Sequence, residues 1–305
     1  KRKMINAGNI QNEGIELMLT ADIIRSNNFK WNAQLNLSHN ENKIIKLYAG
    51  DASNSPVTEY QLGTYENLKI LAREGGKYGE IWGSTFKRVE DPNSPLYGKI
   101  LTDENGLPLA GETKKRGDQQ PDLLTGLTNS FSFKGFDLSF LIDARIGGKM
   151  FSGTNHALQA NGSSANTAVN GRRKFVVDGA VAKQVGGKTV YEPNTTEVTP
   201  QDNWSAISSR SNPNLGISEA NIFSATSIRL RNIALSYTLP SSILKKTPIT
   251  RVKLGVSCNN VWMIKSYMNG VDPESVFATG TNATGYEFAS SPSTRSVLFN
   301  VTLGF

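Results

Sequence analysis

Residues 295–305, the last eleven of the chain, restrict its possible folds more than any other segment. Apolar side chains occupy every second position there, and strand side chains point alternately to opposite faces. The segment therefore predicts a strand with one apolar face and one mainly small, polar face. The apolar row consists of Val297, Phe299, Val301, Leu303 and Phe305. An aromatic final residue on that row is typical of a transmembrane barrel strand, because aromatic side chains favour the membrane interface. The last strand of a soluble β-sandwich is the alternative.

Composition excludes a membrane protein built from helices. The chain has 305 residues, of which 38% are hydrophobic, and no run approaches the roughly 18 uninterrupted apolar residues of a membrane helix. A barrel remains possible because its strands mix polar residues with apolar ones. The net charge of +7 is scattered along the sequence, which favours a solvated surface, or loops facing an anionic membrane, over a nucleic-acid site.

Residues with reactive side chains are few and dispersed. Cys258 is the single cysteine, so no intramolecular disulfide can form. His39 and His156 are far apart, and neither has a metal-ligand neighbour at a recognisable spacing. The sequence shows no Ser/His/Asp set, phosphate loop or glycosidase-like carboxylate pair. We therefore expect no catalytic residues, no metal site and no cofactor, and we do not expect an enzyme.

The alternation of the last strand recurs along the chain. Together with that strand, the pattern predicts about nine strands, the others at residues 8–23, 29–38, 64–72, 78–88, 123–133, 136–146, 227–239 and 251–259. Short turns are predicted near Ser26, Gly75, Lys134 and Lys245. They alternate with long polar segments at 41–61, 90–120, 151–225 and 261–293. Bacterial barrels have short periplasmic turns and long extracellular loops, so this sorting by length favours a barrel.

Charged residues within the predicted strands allow predictions about strand orientation and regularity. Asp143 and Arg145 are tolerable in a transmembrane strand only on the lumen side, where they can pair or meet water. Arg229 and Arg231 fall on the apolar face of their strand, which predicts a β-bulge or an interface position. Residues 151–225 lack sustained alternation and are expected to be largely free of strands, with a short helix within 165–182.

The predicted architecture is that of part of a larger barrel. Nine is an awkward count, because bacterial barrels usually have an even number of strands. The first strand also needs a partner upstream, and no signal peptide precedes it. We therefore expect residues 1–305 to be the carboxy-terminal portion of a transporter barrel, with the plug and the amino-terminal barrel strands absent.

Four motifs resemble those of a known family. Residues 227–240 read SIRLRNIALSYTLP, residues 267–274 read YMNGVDPE, residues 9–16 read NIQNEGIE and residues 121–129 read PDLLTGLTN. These segments resemble the SusC/RagA-type TonB-linked outer-membrane transporters of Bacteroidetes, and the combination at 225–274 is the most specific. The resemblance extends over residues 9–305.

The resemblance implies a fold, a location and a function. The fold would be all-β, an antiparallel transmembrane barrel of about 22 strands in such plugged transporters, in the bacterial outer membrane. The function would be TonB-dependent nutrient import of an oligosaccharide or peptide, with a SusD-like surface lipoprotein as the lid and TonB acting through the missing amino-terminal part. A soluble or surface carbohydrate-binding β-sandwich without a transport role is the alternative. The resemblance also implies that Phe305 is the assembly signal of the barrel.

Candidate contacts with substrate or lid lie in the predicted outer loops. They are Trp204, Arg210, Trp262, Tyr267 and Tyr286. Aromatic rings can stack on sugars and offer a large contact area at little cost in entropy. Loop packing is the alternative for each, and Trp262 could also belong to an aromatic girdle. Asp272 before Pro273 predicts a turn, and Glu274 a solvated carboxylate, because a cation site needs several converging oxygens.

Overall fold

The computed structural model describes residues 8–50, 55–208, 216–276 and 280–305. Strands predominate within these ranges, accompanied by short helices. The strands are β1 (Asn9–Arg25), β2 (Phe29–Lys46), β3 (Glu59–Tyr65), β4 (Leu68–Arg73), β5 (Tyr78–Phe86), β6 (Ile100–Thr102), β7 (Ala110–Asp118), β8 (Leu123–Phe133), β9 (Phe136–Ile146), β10 (Lys149–Ser152), β11 (Phe175–Val176), β12 (Gly179–Val185), β13 (Lys188–Pro193), β14 (Glu197–Val198), β15 (Ile222–Ser224), β16 (Ser227–Thr238), β17 (Arg251–Ser266), β18 (Tyr286–Glu287) and β19 (Ser296–Gly304). The helices are α1 (Gly153–Ala160), α2 (Pro200–Ile207), α3 (Ser241–Leu244) and two 3-10 helices, Ala165–Arg172 and Ser218–Asn221.

One sheet contains the long strands. In the described part of the chain it has seven strands in the order β1-β2-β8-β9-β16-β17-β19, and every neighbouring pair is antiparallel. Residues 26–28, 134–135 and 239–250 connect strands at one end, and residues 47–122, 147–226 and 267–295 connect them at the other. The sorting of connections by length is therefore strict, as predicted.

The two faces of this sheet differ in polarity, and the apolar face is largely uncovered in the described part of the chain. On the outer face, one row of directly opposed residues runs Leu19, Leu35, Leu127, Ile142, Leu230 and Trp262. On the inner face, a neighbouring row runs Asp22, Asn32, Ser130, Ser139, Ala234, Ser257 and Leu298. The outer apolar residues remain uncovered, with Phe299 82% and Phe305 83% exposed. An apolar surface of this extent needs a nonaqueous environment, as the outside of a membrane barrel provides.

Aromatic residues form a belt on the outer face near the short turns. Phe131 on β8 packs against Trp31 on β2 at 5.7 Å between ring centroids and against Phe140 on β9 at 6.1 Å. Phe136 and Tyr237 follow on β9 and β16 at 4.3 Å. Such a belt matches the aromatic girdle of transmembrane barrels.

The structure differs from the predicted count of about nine barrel strands. Residues 64–72, the weaker pattern, and 78–88 are predicted to be barrel strands, but β3, β4, β5 and β7 form a separate four-stranded sheet. Leu68, Ile70 and Ile81 of this sheet are completely buried, whereas an apolar side chain facing lipid would be uncovered in the isolated chain. The turn at Gly75 therefore lies among the long connections, and residues 47–122 form one long connection instead of two shorter ones.

The three long connections fold together into a loop body with its own apolar core. Leu68, Ile70 and Ile81 from residues 47–122 pack with Phe151 from residues 147–226 and with Tyr286 from residues 267–295. A second cluster joins Val89, Leu101 and Ala180, and a third joins Met150, Ala225 and Met268. The ordinary hydrophobic core of this protein thus lies in the connections, while the long strands expose their apolar side chains.

Residues 151–225 contain more regular structure than predicted. Strands β11 to β15, helices α1 and α2, and both 3-10 helices lie within them. These strands have seven residues or fewer, which is too short for the alternation to be visible in sequence. No helix in the described ranges has the length and hydrophobicity needed to cross a bilayer.

Candidate functional site on the inner face

A cavity of about 690 Å³ opens on the inner face of the sheet, beneath the loop body. A transverse row of directly opposed residues contributes to its wall: Glu16, Ser38, Leu124, Arg145 and Ser227 on β1, β2, β8, β9 and β16. The remaining charged lining residues are Asp143, Arg229, Arg231 and Glu274. The placement of Asp143 and Arg145 on this face agrees with the sequence prediction.

A β-bulge in β16 separates two arginines from the apolar row that follows them. Between Leu230 and Asn232 the register with β9 skips Arg231, which is therefore the inserted residue relative to that strand. The insertion interrupts the alternation, so Arg229 and Arg231 line the cavity whereas Ile233 lies opposite Phe140 on the outer face. The bulge predicted from the two arginines is therefore confirmed.

These arginines bind three carboxylates, and we call the five residues the arginine cluster. Arg229 Nη2 lies 2.6 Å from Asp272 Oδ1, and Arg231 Nη2 lies 2.5 Å from both Asp143 Oδ2 and Glu274 Oε1. The Arg229 and Asp272 side chains are only 5% and 9% exposed. Because charge-assisted pairs gain strength where water is excluded, the cluster fixes residues 272–274 of the loop body to the barrel wall.

The arginine cluster lowers the pKa values of the Asp272 and Glu274 carboxyl groups. Burial alone would raise the pKa of Asp272, but hydrogen bonds from Arg229 and Ser293 outweigh it and lower the pKa to about 2. The hydrogen bond from Arg231 lowers the pKa of Glu274 below its ordinary value. Both groups are therefore anionic at neutral pH.

The sequence prediction for this segment is partly confirmed. The amide of Glu274 donates to Asp272 Oδ1 at 3.0 Å, which is the side-chain turn expected before and after Pro273. The Glu274 side chain is 41% exposed, in line with the predicted solvation, and both of its carboxylate oxygens also accept hydrogen bonds from Arg231. The cation in this site is an arginine side chain and not a metal ion.

Several buried polar atoms at the cavity have no hydrogen-bond partner in the described part of the chain. They are Asn36 Oδ1, Asp143 Oδ1, Arg145 Nε and Arg229 Nε. Buried polar atoms are nearly always paired, and an unpaired one costs about 1–3 kcal/mol. Their concentration at one cavity indicates a place where a polar molecule or segment is received.

The structure does not bring the predicted contact residues together. Arg210 lies outside the described residues. Trp204 is half-buried in α2, and Tyr286 packs in the loop core with 5% exposure, so its ring offers no open face in this structure. Contact of these residues with a substrate or a lid stays a prediction.

Trp262 and Tyr267 lie outside the loop core that contains Tyr286. Trp262 belongs to β17 rather than to a loop, is 59% exposed and stands opposite Leu230 in the apolar outer row. That position favours the alternative of an aromatic girdle residue. Tyr267 is 51% exposed and stacks with Lys265 at 5.0 Å.

The described residues contain no group of three or more His, Cys, Asp or Glu side chains arranged for a metal ion. The inner-face site that the structure does reveal, Arg145 with the arginine cluster, was not among the predicted site residues. Its signal in the sequence was the pair of arginines on an apolar face together with the acidic turn at 272–274.

Curated relatives in sequence are TonB-dependent receptors. The chain is 26% identical over 324 residues to TonB-dependent receptor P3 of Formosa agariphila, and 26% identical over 306 residues to the TonB-dependent receptor SusC of Bacteroides thetaiotaomicron. Each match includes 98% of this chain but only 29% and 27% of the relative. The chain thus spans less than a third of the length of these relatives. No protein-family model matches it.

Solved structures agree with the fold. The RagAB peptide transporter matches with a TM-score of 0.62 at 18% identity, and the RagAB peptide importer in its open-open state with 0.58 at 16% identity. These matches include 98% of this chain and 30% and 29% of the neighbours. The relatives are receptors and transporters rather than enzymes. The chain is therefore similar to the carboxy-terminal part of SusC/RagA-type TonB-dependent transporters, in sequence and in fold.

Proposed function

We propose that the chain forms the carboxy-terminal wall and outer loops of a transporter that imports a nutrient across the outer membrane. The observation that carries this proposal is the distribution of apolar residues, with a lipid-type outer face on the long strands and a buried core in the connections. A soluble carbohydrate-binding β-sandwich would instead bury its apolar faces against each other.

The proposal assigns partners to each exposed part of the structure. The free edges of β1 and β19 pair with the remaining barrel strands, because an open edge is not tolerated in hydrocarbon. A plug fills the lumen and connects to TonB through the amino-terminal part. The loop body receives a SusD-like lipoprotein as the lid, and the substrate is an oligosaccharide or a peptide captured between them.

Uptake by cells tests this function. The full-length gene is deleted and restored either intact or without its TonB-interacting segment, and uptake of a labelled oligosaccharide mixture and a labelled peptide mixture is measured. We expect uptake only with the intact gene, and we expect a protonophore to abolish it. Uptake that persists without the TonB-interacting segment would contradict active import and indicate a passive pore.

Purification tests the alternative class. We expect the full-length protein to fractionate with outer membranes and to remain monodisperse only in detergent, because its outer face is apolar. A protein that is monodisperse without detergent would instead support the β-sandwich. Co-purification of a surface lipoprotein with the tagged transporter tests the lid, and its loss on removal of residues 183–190, the exposed end of a hairpin of the loop body, would locate the contact.

A further inference from the structure

Two of the short connections of the large sheet are in contact with each other. Residues 134–135 join β8 to β9, residues 239–250 join β16 to β17, and β9 and β16 are neighbours in the sheet. The amide of Thr238, at the end of β16, donates to the carbonyl of Gly135 at 2.8 Å. We call these two connections the turn pair. It lies between β8 and β17, away from the free edges at β1 and β19.

The turn pair carries positive charge without neutralising carboxylates. Lys134 belongs to the first connection, and Lys245 and Lys246 belong to the second, which contains no acidic residue. All three lysines are exposed, and none forms an ion pair with another described residue. The nearest acidic residue in sequence is Asp137, which pairs with Lys253 at 2.9 Å. The ammonium groups of the turn pair are therefore available to an external anion.

Lys134 occupies a backbone position that usually selects another residue type. Lys134 and Gly135 have φ values of 46° and 88°, which is the left-handed conformation at both positions of a two-residue hairpin turn. Such turns prefer Asn, Asp or Gly at the first position, because other side chains are strained there. A residue held in a sparsely populated conformation indicates a role beyond the turn itself.

Aromatic rings of the outer face adjoin the lysines. Phe133, Phe136 and Tyr237 form one row of directly opposed residues next to the turn pair. The Phe136 and Tyr237 rings pack at 4.3 Å between centroids, and Lys134 Nζ lies 5.4 Å from the centre of the Phe133 ring. This cation–π contact holds the charge at the aromatic belt, which is the level of the lipid headgroups in a membrane protein.

The second connection adds an apolar side chain beside its lysines. Ile243 in α3 is 65% exposed, whereas the adjacent Leu244 is 9% exposed. Lys245 and Lys246 follow directly after α3. An exposed apolar residue next to lysines is typical of a segment at a membrane surface, where the apolar side chain enters the acyl region and the ammonium groups remain among the headgroups.

We propose that the turn pair binds an anionic glycerophospholipid in the periplasmic leaflet of the outer membrane. The three lysines bind the lipid phosphate, while the aromatic row and Ile243 contact the acyl chains. Short turns of bacterial barrels face the periplasm, and that leaflet consists of glycerophospholipids. A zwitterionic headgroup would bring its own cation to the lysines, so charge complementarity favours an anionic lipid.

The proposal rests on the membrane orientation of the proposed function. It is independent of the plug, the lid and the substrate, because the site lies at the outer face of the sheet and not in the lumen. It is also independent of the strands that pair with β1 and β19, since the turn pair belongs to the middle of the sheet.

Hydrogen exchange of residues 241–250 tests the site in the full-length transporter. The delipidated protein in detergent is titrated with phosphatidylglycerol, with phosphatidylcholine of the same acyl chains, or with glycerol phosphate, which has no acyl chain. Phosphatidylglycerol is expected to slow exchange in this segment at a lower concentration than phosphatidylcholine does. Glycerol phosphate is expected to have little effect, because it lacks the contacts with the aromatic row and Ile243.

Variants assign the binding to the lysines. A lysine near a lipid surface is expected to strengthen binding about fivefold, so Lys134→Asn should raise the half-saturating concentration of phosphatidylglycerol by about that factor. Asn suits this turn better than Lys, which separates loss of binding from loss of folding. The triple variant, Lys134→Asn with Lys245→Gln and Lys246→Gln, should weaken binding by roughly a hundredfold.

Two further variants serve as controls. Lys134→Arg keeps the charge and should bind phosphatidylglycerol nearly as the wild type does. Lys188→Gln removes the charge of an exposed lysine in the loop body and should leave the titration unchanged. Because exchange is measured in the second connection, an effect of Lys134→Asn would show that both connections bind the same lipid.

The outcomes separate this site from the import function. Equal half-saturation by phosphatidylglycerol and phosphatidylcholine would overturn the proposal, as would wild-type binding by the triple variant. Protection by glycerol phosphate at the same concentration as phosphatidylglycerol would also overturn it, because the ligand would then be a free phosphate. Each of these results leaves nutrient import standing. Lipid binding at the turn pair of a protein that imports nothing would support the site and count against the import function.

Discussion

Arg229 and Asp272 connect the barrel wall to the loop body through an ion pair of 2.6 Å in which both side chains are nearly buried. Arg229 comes from the bulged strand β16, and Asp272 comes from the segment that follows β17. Ser293 also donates to Asp272, and it accepts a hydrogen bond from Arg229 at 2.7 Å. Three separate segments are thus held at one point above the cavity.

Removal of one partner of this pair should loosen the loop body. Because a buried charge is left unpaired, we expect Arg229→Ala to destabilise the attachment of residues 267–295 by about 3–5 kcal/mol. Protection of this segment from chymotrypsin, which can cleave after Tyr267, Tyr286 and Phe288, measures the effect. The control is Lys183→Ala, which breaks the exposed pair with Glu192 and should cost at most about 1 kcal/mol. Equal effects of the two substitutions would contradict a special role for the buried pair.

Acid should release the same attachment within a defined range of pH. The pKa of Asp272 is lowered from its ordinary value of 3.8 to about 2. A lowered pKa means that the folded state binds fewer protons, so its contribution to stability is complete above pH 4 and is lost as pH falls towards 2. Hydrogen exchange of residues 267–295 measured from pH 5 to pH 2 should show this loss. Asp272→Asn should remove that part of the pH dependence, and an unchanged profile in this variant would refute the assignment.

The buried carboxylate Glu287 should matter more for its acceptor atoms than for its charge. It is completely buried and accepts hydrogen bonds from the hydroxyl of Ser152 and from the amide and hydroxyl of Thr154 at the start of α1. We expect Glu287→Ala to destabilise the loop body by about 1–3 kcal/mol, because two hydroxyls and one amide lose their acceptor. Glu287→Gln should cost less, since one amide oxygen remains. Chemical denaturation, followed by the fluorescence of Trp82 in a variant that keeps only this tryptophan, compares the two.

The sequence identifies the barrel strands because lipid and water impose different side chains on their two faces. The outer row from Leu19 to Trp262 is apolar and the inner row from Asp22 to Leu298 is mainly polar. Within each strand, this difference between the faces is visible in the sequence as alternation of apolar and polar residues. The apolar residues of β4 and β5 led to the wrong prediction of barrel strands, because these residues contact other loop segments instead of lipid. Period alone does not reveal what covers an apolar face, so nine strands were predicted where the structure has seven in its large sheet.

The inner-face site shows the same limit for polar residues. The arginines of β16 signalled a bulge through their positions on an apolar strand face. Their partners at residues 272–274 are 43 positions away along the chain, and the pairing depends on how a long connection folds back. Among the described residues, Asp143 and Glu274 likewise form ion pairs with Arg231 and not with the neighbouring Arg145, which no spacing in the sequence predicts.

Trp262 should contact lipid rather than substrate. Its ring lies on the outer face opposite Leu230, so lipids brominated on their acyl chains should quench its fluorescence. We compare two variants that each keep one of the four tryptophans, either Trp262 or Trp82. Trp82 lies in the loop body, where Arg73 stacks on its ring at 4.4 Å, and it should be quenched much less. Equal quenching of the two tryptophans, or weaker quenching of Trp262 when a substrate is bound, would indicate that Trp262 contacts substrate.

Phe305 should be needed for assembly more than for transport. It directly follows β19, at the end of the apolar row that begins at Val297, and is 83% exposed. Phe299 in the same row is 82% exposed, so Phe299→Ala removes a similar apolar surface and serves as the matched control. If Phe305 is the assembly signal, Phe305→Ala should reduce the amount of heat-modifiable barrel in outer membranes far more than Phe299→Ala does. Uptake per assembled molecule should stay near wild type in both variants. Equal membrane levels of the two variants would show that Phe305 contributes only lipid contact, as any other apolar residue of this row does.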